Sequence, residues 1–136
     1  MNSIIFAYRK LHENTRMVLT AIIGALLGLI TYEIIYFLNP IVPKASSSWF
    51  IASTVNIARQ HGLHRWLTFH SYKTKYWESL IRAYIMYSGS LFFGVGLNWL
   101  LTEVMFVNHR IAWVCCLIIT ALISFLFLKR YVFKTI

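Results

Sequence analysis

Three long apolar stretches limit what this chain can fold into. Residues 17–38 contain a single charged residue, Glu33, residues 83–107 contain only Glu103, and residues 111–128 contain none. A helix of about 20 predominantly apolar residues spans the roughly 30 Å hydrocarbon core of a bilayer. Since each stretch approaches or exceeds that length, the sequence predicts a membrane protein.

The composition agrees with this prediction. Of the 136 residues, 59% are hydrophobic and 12% are charged, whereas soluble domains carry roughly 25% charged residues. The first apolar run is too long for a signal-peptide core of about 7–15 residues, and no small-x-small cleavage site follows, so we expect it to be retained. The net charge of +9 does not indicate nucleic-acid binding, because the basic residues follow a membrane topology.

Basic residues are concentrated in some connections and sparse in others. Eleven of the 13 Lys and Arg residues fall near the N-terminus, in the middle of the chain or in the C-terminal tail, and the other two are Lys44 and Arg110. By the positive-inside rule, both termini and the middle segment are cytoplasmic, which requires four crossings of the cytoplasmic (inner) membrane. The predicted spans are residues 17–38, 48–69, 83–107 and 111–131.

The second predicted span carries an arginine in its interior. Trp49 and Phe69 stand 20 residues apart, as do Trp113 and Phe133, a spacing that matches the thickness of the hydrocarbon core. With Trp49 at the outer interface, Arg59 lies about 15 Å deeper, near the midplane. An arginine there costs about 2.5–3.5 kcal/mol, so we expect a polar partner or a water-filled cavity around it. The alternative is a tilted or short helix from which Arg59 snorkels to the cytoplasmic headgroups.

The four spans are similar in pairs. Glu33 matches Glu103 at an offset of 70, and Trp49 matches Trp113 at an offset of 64. The predicted fold is therefore an all-α membrane protein whose four transmembrane helices form two similar hairpins, a parallel repeat about an axis along the membrane normal.

Shorter features complete this prediction of a single domain, residues 1–136. Amphipathic patterns at about residues 3–12 and 71–82 indicate short interfacial helices on the cytoplasmic side. Gly24, Gly28 and Gly94 are small residues that permit close helix approach, and we expect contacts between copies of the chain there.

Polar residues inside the predicted spans are the candidates for function. Asn56, Arg59, Gln60 and His64 share one helical face. His61 and His64 are three residues apart, but no carboxylate or cysteine cluster completes a metal site. No P-loop, nucleophile elbow or paired-carboxylate arrangement is found, so we expect no metal, no cofactor and no enzymatic activity.

The two acids lie closer to the outer side. Glu33 is about 8 Å from the outer end of the first span. The hypotheses for this carboxylate are a position at the outer interface, a charge pair with a basic residue, contact with a substrate hydroxyl, and proton coupling. Glu103 is its counterpart in the third span.

The second helix of each hairpin ends in a basic-aromatic motif. The two motifs are His64-Arg65-Trp66-Leu67-Thr68-Phe69 and Leu128-Lys129-Arg130-Tyr131-Val132-Phe133. Aromatic belts and cytoplasmic charges are ordinary at this level of a membrane, but these cations also suit a lipid phosphate. Two hairpins with such ends resemble the GtrA-like family of small four-helix membrane proteins, over about residues 14–134.

This resemblance implies a role in cell-surface polysaccharide assembly. Such proteins are thought to translocate a polyprenyl-phosphate-linked sugar across the cytoplasmic membrane, or to assist membrane glycosyltransferases. The predicted phosphate-binding residues are then Arg59, Arg65, Lys129 and Arg130. The predicted sugar-binding residues are Asn56, Gln60, His61, His64, Glu33, Asn98 and Glu103. Because four short helices enclose little space, we expect a homodimer or larger assembly in contact with membrane lipid.

Two alternative functions stay open at this stage. The first is a scaffold that recruits a membrane glycosyltransferase through its cytoplasmic aromatic-basic face. The second is a proton-coupled exporter of the small multidrug type, which depends on an acid such as Glu33. The polar interior is mainly basic, and this disfavours the lipophilic cations that such an exporter carries.

Overall fold

The computed structural model describes residues 2–68 and 75–127, and every regular element in these ranges is helical. The helices are α1 (Asn2–Arg9), α2 (Glu13–Leu38), α3 (Lys44–Leu63), α4 (Tyr76–Trp99) and α5 (His109–Phe127). Short π turns, His64–Thr68 and Leu100–Val104, continue α3 and α4. The predicted all-α fold is confirmed over this part of the chain.

Two helical stretches are long and apolar enough to cross a membrane, by length and composition. They are Glu13–Leu38 and Tyr76–Val104, and α5 adds a shorter apolar stretch, His109–Ile123. α3 is 20 residues long, but the polar residues from Asn56 to His61 interrupt its apolar sequence. The four predicted crossings therefore differ in character, since three are apolar and one has a polar face.

The structure places the start of α3 earlier than the sequence predicted. α3 begins at Lys44 rather than about residue 48, because Pro43 precedes the helix and its carbonyl accepts a hydrogen bond from the Ser47 amide at 3.1 Å. Proline commonly stands at a helix start, where no amide hydrogen is needed. The predicted end of this span at Phe69 lies outside the described residues.

α4 joins two elements that the sequence predicted as separate. One unbroken helix, Tyr76–Trp99, takes the place of the predicted interfacial helix at 71–82 and most of the predicted span at 83–107. Residues 71–74 lie outside the described residues. No proline or glycine interrupts α4 before Gly89, and Glu78 accepts a hydrogen bond from Arg82 at 2.6 Å, one turn away. Such pairs favour helix continuity.

Successive helices pack against each other. α2 packs on α3, α3 on α4, and α4 on α5. The connections 39–43 and 105–108 lie at one end of the bundle, called here the Arg110 end. α1, the π turn His64–Thr68 and the start of α4 lie at the opposite end, called the Tyr8 end. Side chains of α2 and α5 also meet at the Arg110 end, where the rings of Tyr32 and Trp113 are 6.1 Å apart.

The interior is small and aromatic, while much of the surface is apolar. The buried core contains Tyr32, Trp49, Ala52, Trp113 and Cys116. Many large apolar side chains are exposed instead, among them Phe37 at 82% and Ile85 at 69%. Soluble monomers rarely expose so much contiguous apolar surface, so this surface fits a surrounding of lipid.

The small residues of α2 and α4 face the interior of the chain. Gly24, Gly28 and Gly94 are all buried. Their neighbours are Gln60 at Gly24, Asn56 and Trp113 at Gly28, and Trp49 at Gly94. The prediction that these glycines contact another copy is therefore wrong, because the space above each is filled by a side chain of the same chain.

Candidate functional site

Two stripes of small and polar residues face each other between α2 and α3. α2 contributes Thr20, Gly24, Gly28 and Thr31. α3 and the π turn that continues it contribute Asn56, Arg59, Gln60 and His64. Spacings of three and four residues place each set on one helical face. We call these eight residues the polar seam.

Arg59 lies at the centre of the polar seam. Its Nη1 donates a hydrogen bond to Thr31 Oγ1 at 2.6 Å, and its Nη2 donates to Asn56 Oδ1. Nη2 is also 3.7 Å from the point where a Cβ on Gly28 would lie. The guanidinium is thus level with Gly28 and Thr31, about 10–15 Å from the Leu38 end of α2.

The arginine side chain extends toward the Arg110 end. Asn56 precedes Arg59 by one turn, and helical side chains lean toward the helix N-terminus. The side chain therefore does not extend toward the Tyr8 end, whereas snorkelling to cytoplasmic headgroups at that end requires the opposite direction. The expectation of polar partners agrees with the positions of Thr31 and Asn56.

The positive charge of Arg59 is not balanced by an acid in the described part of the chain. The ion pairs found there join Arg82 to Glu78 and Arg110 to Glu33. Arg59 Nε is buried and has no hydrogen-bond partner among these residues. A cation held by neutral groups in a half-buried position attracts anions more strongly than one exposed to water.

The polar seam continues as a line of hydrogen bonds to the Tyr8 end. Gln60 Nε2 donates to the Thr20 carbonyl at 3.4 Å and lies 2.9 Å from His64 Nε2. The Tyr8 hydroxyl of α1 is 2.8 Å from Thr20 Oγ1 and donates to the Arg16 carbonyl at 2.9 Å. Polar groups therefore extend from α1 to the level of Arg59.

His61 and Arg65 lie on another face of α3, toward α4. Ser79 Oγ is 3.0 Å from His61 Nε2, accepts a hydrogen bond from Arg65 Nη1 at 2.8 Å, and donates to the Tyr76 carbonyl at 2.9 Å. The Arg65 guanidinium carbon is 5.6 Å from the centre of the Tyr76 ring. Arg59 and Arg65, two of the predicted phosphate-binding residues, thus occupy different helix interfaces.

Three further predicted site residues, Glu33, Asn98 and Glu103, lie outside the polar seam. Glu33 accepts hydrogen bonds from Arg110 Nε at 2.9 Å and Nη2 at 3.0 Å, which is the charge pair that the sequence offered as one role. Asn98 is buried in the core, and Glu103 is exposed in the π turn Leu100–Val104. Lys129 and Arg130 lie outside the described residues.

Several residues of this arrangement were not identified from the sequence. Thr20 and Thr31 lie four and three residues from Gly24 and Gly28 in a mostly apolar helix. This spacing is the sequence pattern that could have identified them as part of the site. The pairing of Arg110 with Glu33 had no local signal, since 77 positions separate the two residues.

The polar seam has the chemistry of a non-covalent binding site. It combines one cation with hydroxyl, amide and imidazole groups, which hydrogen-bond to anions and to hydroxyl groups. Among the described residues, no three His, Cys, Asp or Glu side chains are grouped as metal ligands.

Comparison with known proteins identifies the family of this chain. The family model for the GtrA/DPMS transmembrane domain matches residues 15–133, a range that includes the whole polar seam. No curated protein and no solved structure gives a significant match. The match and the apolar helices identify a membrane protein of glycan or polysaccharide synthesis. The chain therefore belongs to the GtrA/DPMS transmembrane domain family, as its sequence resemblance predicted.

Proposed function

We propose that this chain translocates a polyprenyl-phosphate-linked sugar across the cytoplasmic membrane. The observation that carries the proposal is the Arg59 guanidinium, held by Thr31 and Asn56 without a neighbouring carboxylate in the described residues. A sugar phosphate does not cross roughly 30 Å of hydrocarbon unaided. The planar guanidinium suits phosphate oxygens, so Arg59 stabilises the charged part of the substrate at depth.

The rest of the polar seam supports a path to Arg59. Gln60, His64 and Thr20 supply hydrogen-bonding groups from the Tyr8 end upward. The sugar phosphate moves along these groups, while the polyprenyl chain stays in the lipid beside the exposed apolar surfaces of the helices. The function is binding and transport, without covalent chemistry.

The proposed topology has four membrane-spanning helices, α2 to α5, arranged as two hairpins. α3 has 20 residues and its π turn has 5. Together they form about 37 Å of helix, which is long enough to span the hydrocarbon core. The excess of basic residues near the Tyr8 end supports a cytoplasmic position for that end. The two proposed hairpins differ in their acids, since Glu33 is paired with Arg110 and Glu103 is exposed.

The alternative functions receive less support. An exporter of lipophilic cations needs an available acid, whereas Glu33 binds Arg110 through both carboxylate oxygens and the polar seam is basic. Assembly into a homodimer and association with a membrane glycosyltransferase stay predictions from the sequence.

Native mass spectrometry of the gently extracted full chain tests the proposal. We expect the wild type to retain a polyprenyl-phosphate species and Arg59→Ala to lose it. Arg82→Ala is the matched control, because Arg82 is exposed and pairs with Glu78 outside the polar seam. A wild type without any bound phospholipid of this class contradicts the proposal, as does an Arg59→Ala variant that retains the lipid fully.

A further inference from the structure

An aromatic layer lies next to Arg59 on the side of the Arg110 end. Tyr32 of α2 and Trp49 of α3 both pack near Trp113 of α5, with ring centres 6.1 and 6.5 Å from its ring. The point where a Cβ on Gly28 would lie is 3.6 Å from Trp113 and 3.7 Å from Arg59 Nη2. The aromatic layer and the cation are therefore neighbours across a single glycine.

This layer contains buried polar atoms that are not hydrogen-bonded. Tyr32 Oη, Trp49 Nε1 and both amide atoms of Asn98 have no hydrogen-bond partner among the described residues. The three side chains are at most 5% exposed. Because nearly all buried polar groups in native proteins are satisfied, a cluster of unsatisfied ones indicates a missing polar partner.

Asn98 belongs to the same cluster through α4. The indole Nε1 of Trp49 is 2.7 Å from the point where a Cβ on Gly94 would lie, and Asn98 follows Gly94 by one helical turn. The Asn98 amide interacts with the thiol of Cys116, but a thiol is only a weak hydrogen-bonding group. The cluster thus offers donors and acceptors without a formal charge.

At the Arg110 end, the rings of Tyr36 and His109 pack next to Tyr32, each with its centre 5.9 Å from the Tyr32 ring. The bidentate pair between Glu33 and Arg110 joins α2 to α5. The His109 and Tyr36 rings stack in parallel, with centres 3.8 Å apart and planes inclined by 3°. The Glu33 and Arg110 side chains are 31% and 67% exposed, and exposed ion pairs of this kind are weak enough to open readily.

We propose that Tyr32, Trp49 and Asn98 form a subsite for the hydroxyl groups of an uncharged sugar, closed toward the Arg110 end by the Glu33–Arg110 pair and the Tyr36–His109 stack. This proposal rests on the proposed function. With the phosphate at Arg59, the attached sugar enters the aromatic layer, where neutral donors and acceptors match its hydroxyls and flat rings cover its apolar face. Opening of the closing contacts then releases it at the Arg110 end.

The chain provides its own probe of the closing contacts. Its two cysteines are Cys115, which is half-buried, and Cys116, which is fully buried within the core that contains Tyr32 and Trp49. In a Cys115→Ser background, the full chain is treated with a membrane-impermeant methanethiosulfonate. We expect slow labelling of Cys116, at least tenfold faster labelling in Glu33→Gln, and protection restored when Glu33→Arg is combined with Arg110→Glu.

Glu78→Gln is the matched control for this measurement, because it breaks the exposed pair with Arg82 elsewhere on the bundle. Labelling that is unchanged in Glu33→Gln overturns the closing role of the pair. Equal acceleration by Glu78→Gln overturns it too, since the effect is then not local. This readout does not depend on transport.

A binding comparison tests the subsite itself, with undecaprenyl phosphate and undecaprenyl-phosphate glucose as the two probes. Tyr32→Phe and Asn98→Leu keep most of the side-chain volume and remove hydrogen-bonding groups. We expect them to weaken binding of the glucose-bearing lipid at least threefold and to leave binding of the sugar-free lipid unchanged, whereas Arg59→Ala weakens both.

The outcomes separate the two proposals. Equal loss for both lipids in Tyr32→Phe and Asn98→Leu, or no loss for either, overturns the subsite while leaving the proposed function intact. Failure of wild-type protein to bind either lipid overturns the proposed function and the subsite with it. The Cys116 measurement decides the closing role of the Glu33–Arg110 pair in each case.

Discussion

Arg59 reaches across the α2–α3 interface to Thr31, whose hydroxyl accepts a 2.6 Å hydrogen bond from the guanidinium. The two residues are 28 positions apart, and the contact holds a half-buried cation between the two helices. Neither Thr31 nor Asn56 neutralises the charge. No carboxylate among the described residues pairs with Arg59. An anion that enters the polar seam can therefore form an ion pair with it.

Thr31→Val should weaken binding of a polyprenyl phosphate about fivefold. Valine has nearly the same shape, but it lacks the hydroxyl that orients the guanidinium, and one such hydrogen bond contributes about 1 kcal/mol. Titration of detergent-solubilised protein with undecaprenyl phosphate measures the change. Thr54→Val is the control, because among the described residues the Thr54 hydroxyl bonds to its own helix, at the Phe50 carbonyl. An equal effect from both variants contradicts a specific role for Thr31.

Gly28→Ala should reduce lipid binding by more than Gly96→Ala. A methyl group on Gly28 lies 3.2 Å from Asn56 Nδ2 and 3.7 Å from Arg59 Nη2. No described residue lies within 4 Å of a methyl group on Gly96. The added group therefore displaces the side chains that hold the site. The same titration applies to both variants. Unchanged affinity in Gly28→Ala indicates that the geometry around Arg59 does not control binding.

Gly94→Ala should destabilise the protein rather than the binding site alone. Its methyl group lies 2.7–3.0 Å from indole atoms of Trp49, and overpacking of this kind costs about 1–3 kcal/mol. We expect a lower thermal midpoint in detergent, while Gly89→Ala, with open space at the same helix, should not lower it. Equal midpoints for the two variants contradict the tight approach of α4 to α3.

Tyr8→Phe should loosen α1 from the rest of the bundle. The Tyr8 hydroxyl contacts both Thr20 Oγ1 and the Arg16 carbonyl, and these bonds are lost while the ring remains. Hydrogen–deuterium exchange of the Asn2–Arg9 amides should become at least several-fold faster, with α5 unchanged as the internal control. Exchange at the wild-type rate shows that other contacts hold α1.

The sequence was sufficient to predict the helical fold and one face of the site. Asn56, Arg59, Gln60 and His64 were recognised because helical spacing alone places them together. The direction of the Arg59 side chain was not predictable, since it depends on Thr31 and Asn56 being in reach. Packing across helices decides such contacts.

Other features depended on long-range contacts and could not be read locally. Small residues such as Gly24, Gly28 and Gly94 permit close helix approach both between copies of a chain and between helices of one chain. Their sequence pattern does not distinguish the two cases. The sequence leaves several partners open for Glu33, and the structure shows that its partner is Arg110. The separate interfacial helix before α4 was predicted from its amphipathic pattern, which does not reveal whether a helix ends there.

The central claim is that Arg59 carries the phosphate of a lipid-linked sugar through the membrane. The most direct measurement reconstitutes the full chain in vesicles with a fluorescent polyprenyl-phosphate glucose and follows quenching of the outer leaflet by dithionite. Wild type and Arg82→Ala should expose nearly all of the probe, and Arg59→Ala should leave about half of it protected, as in protein-free vesicles. Full exposure of the probe by Arg59→Ala would contradict the claim.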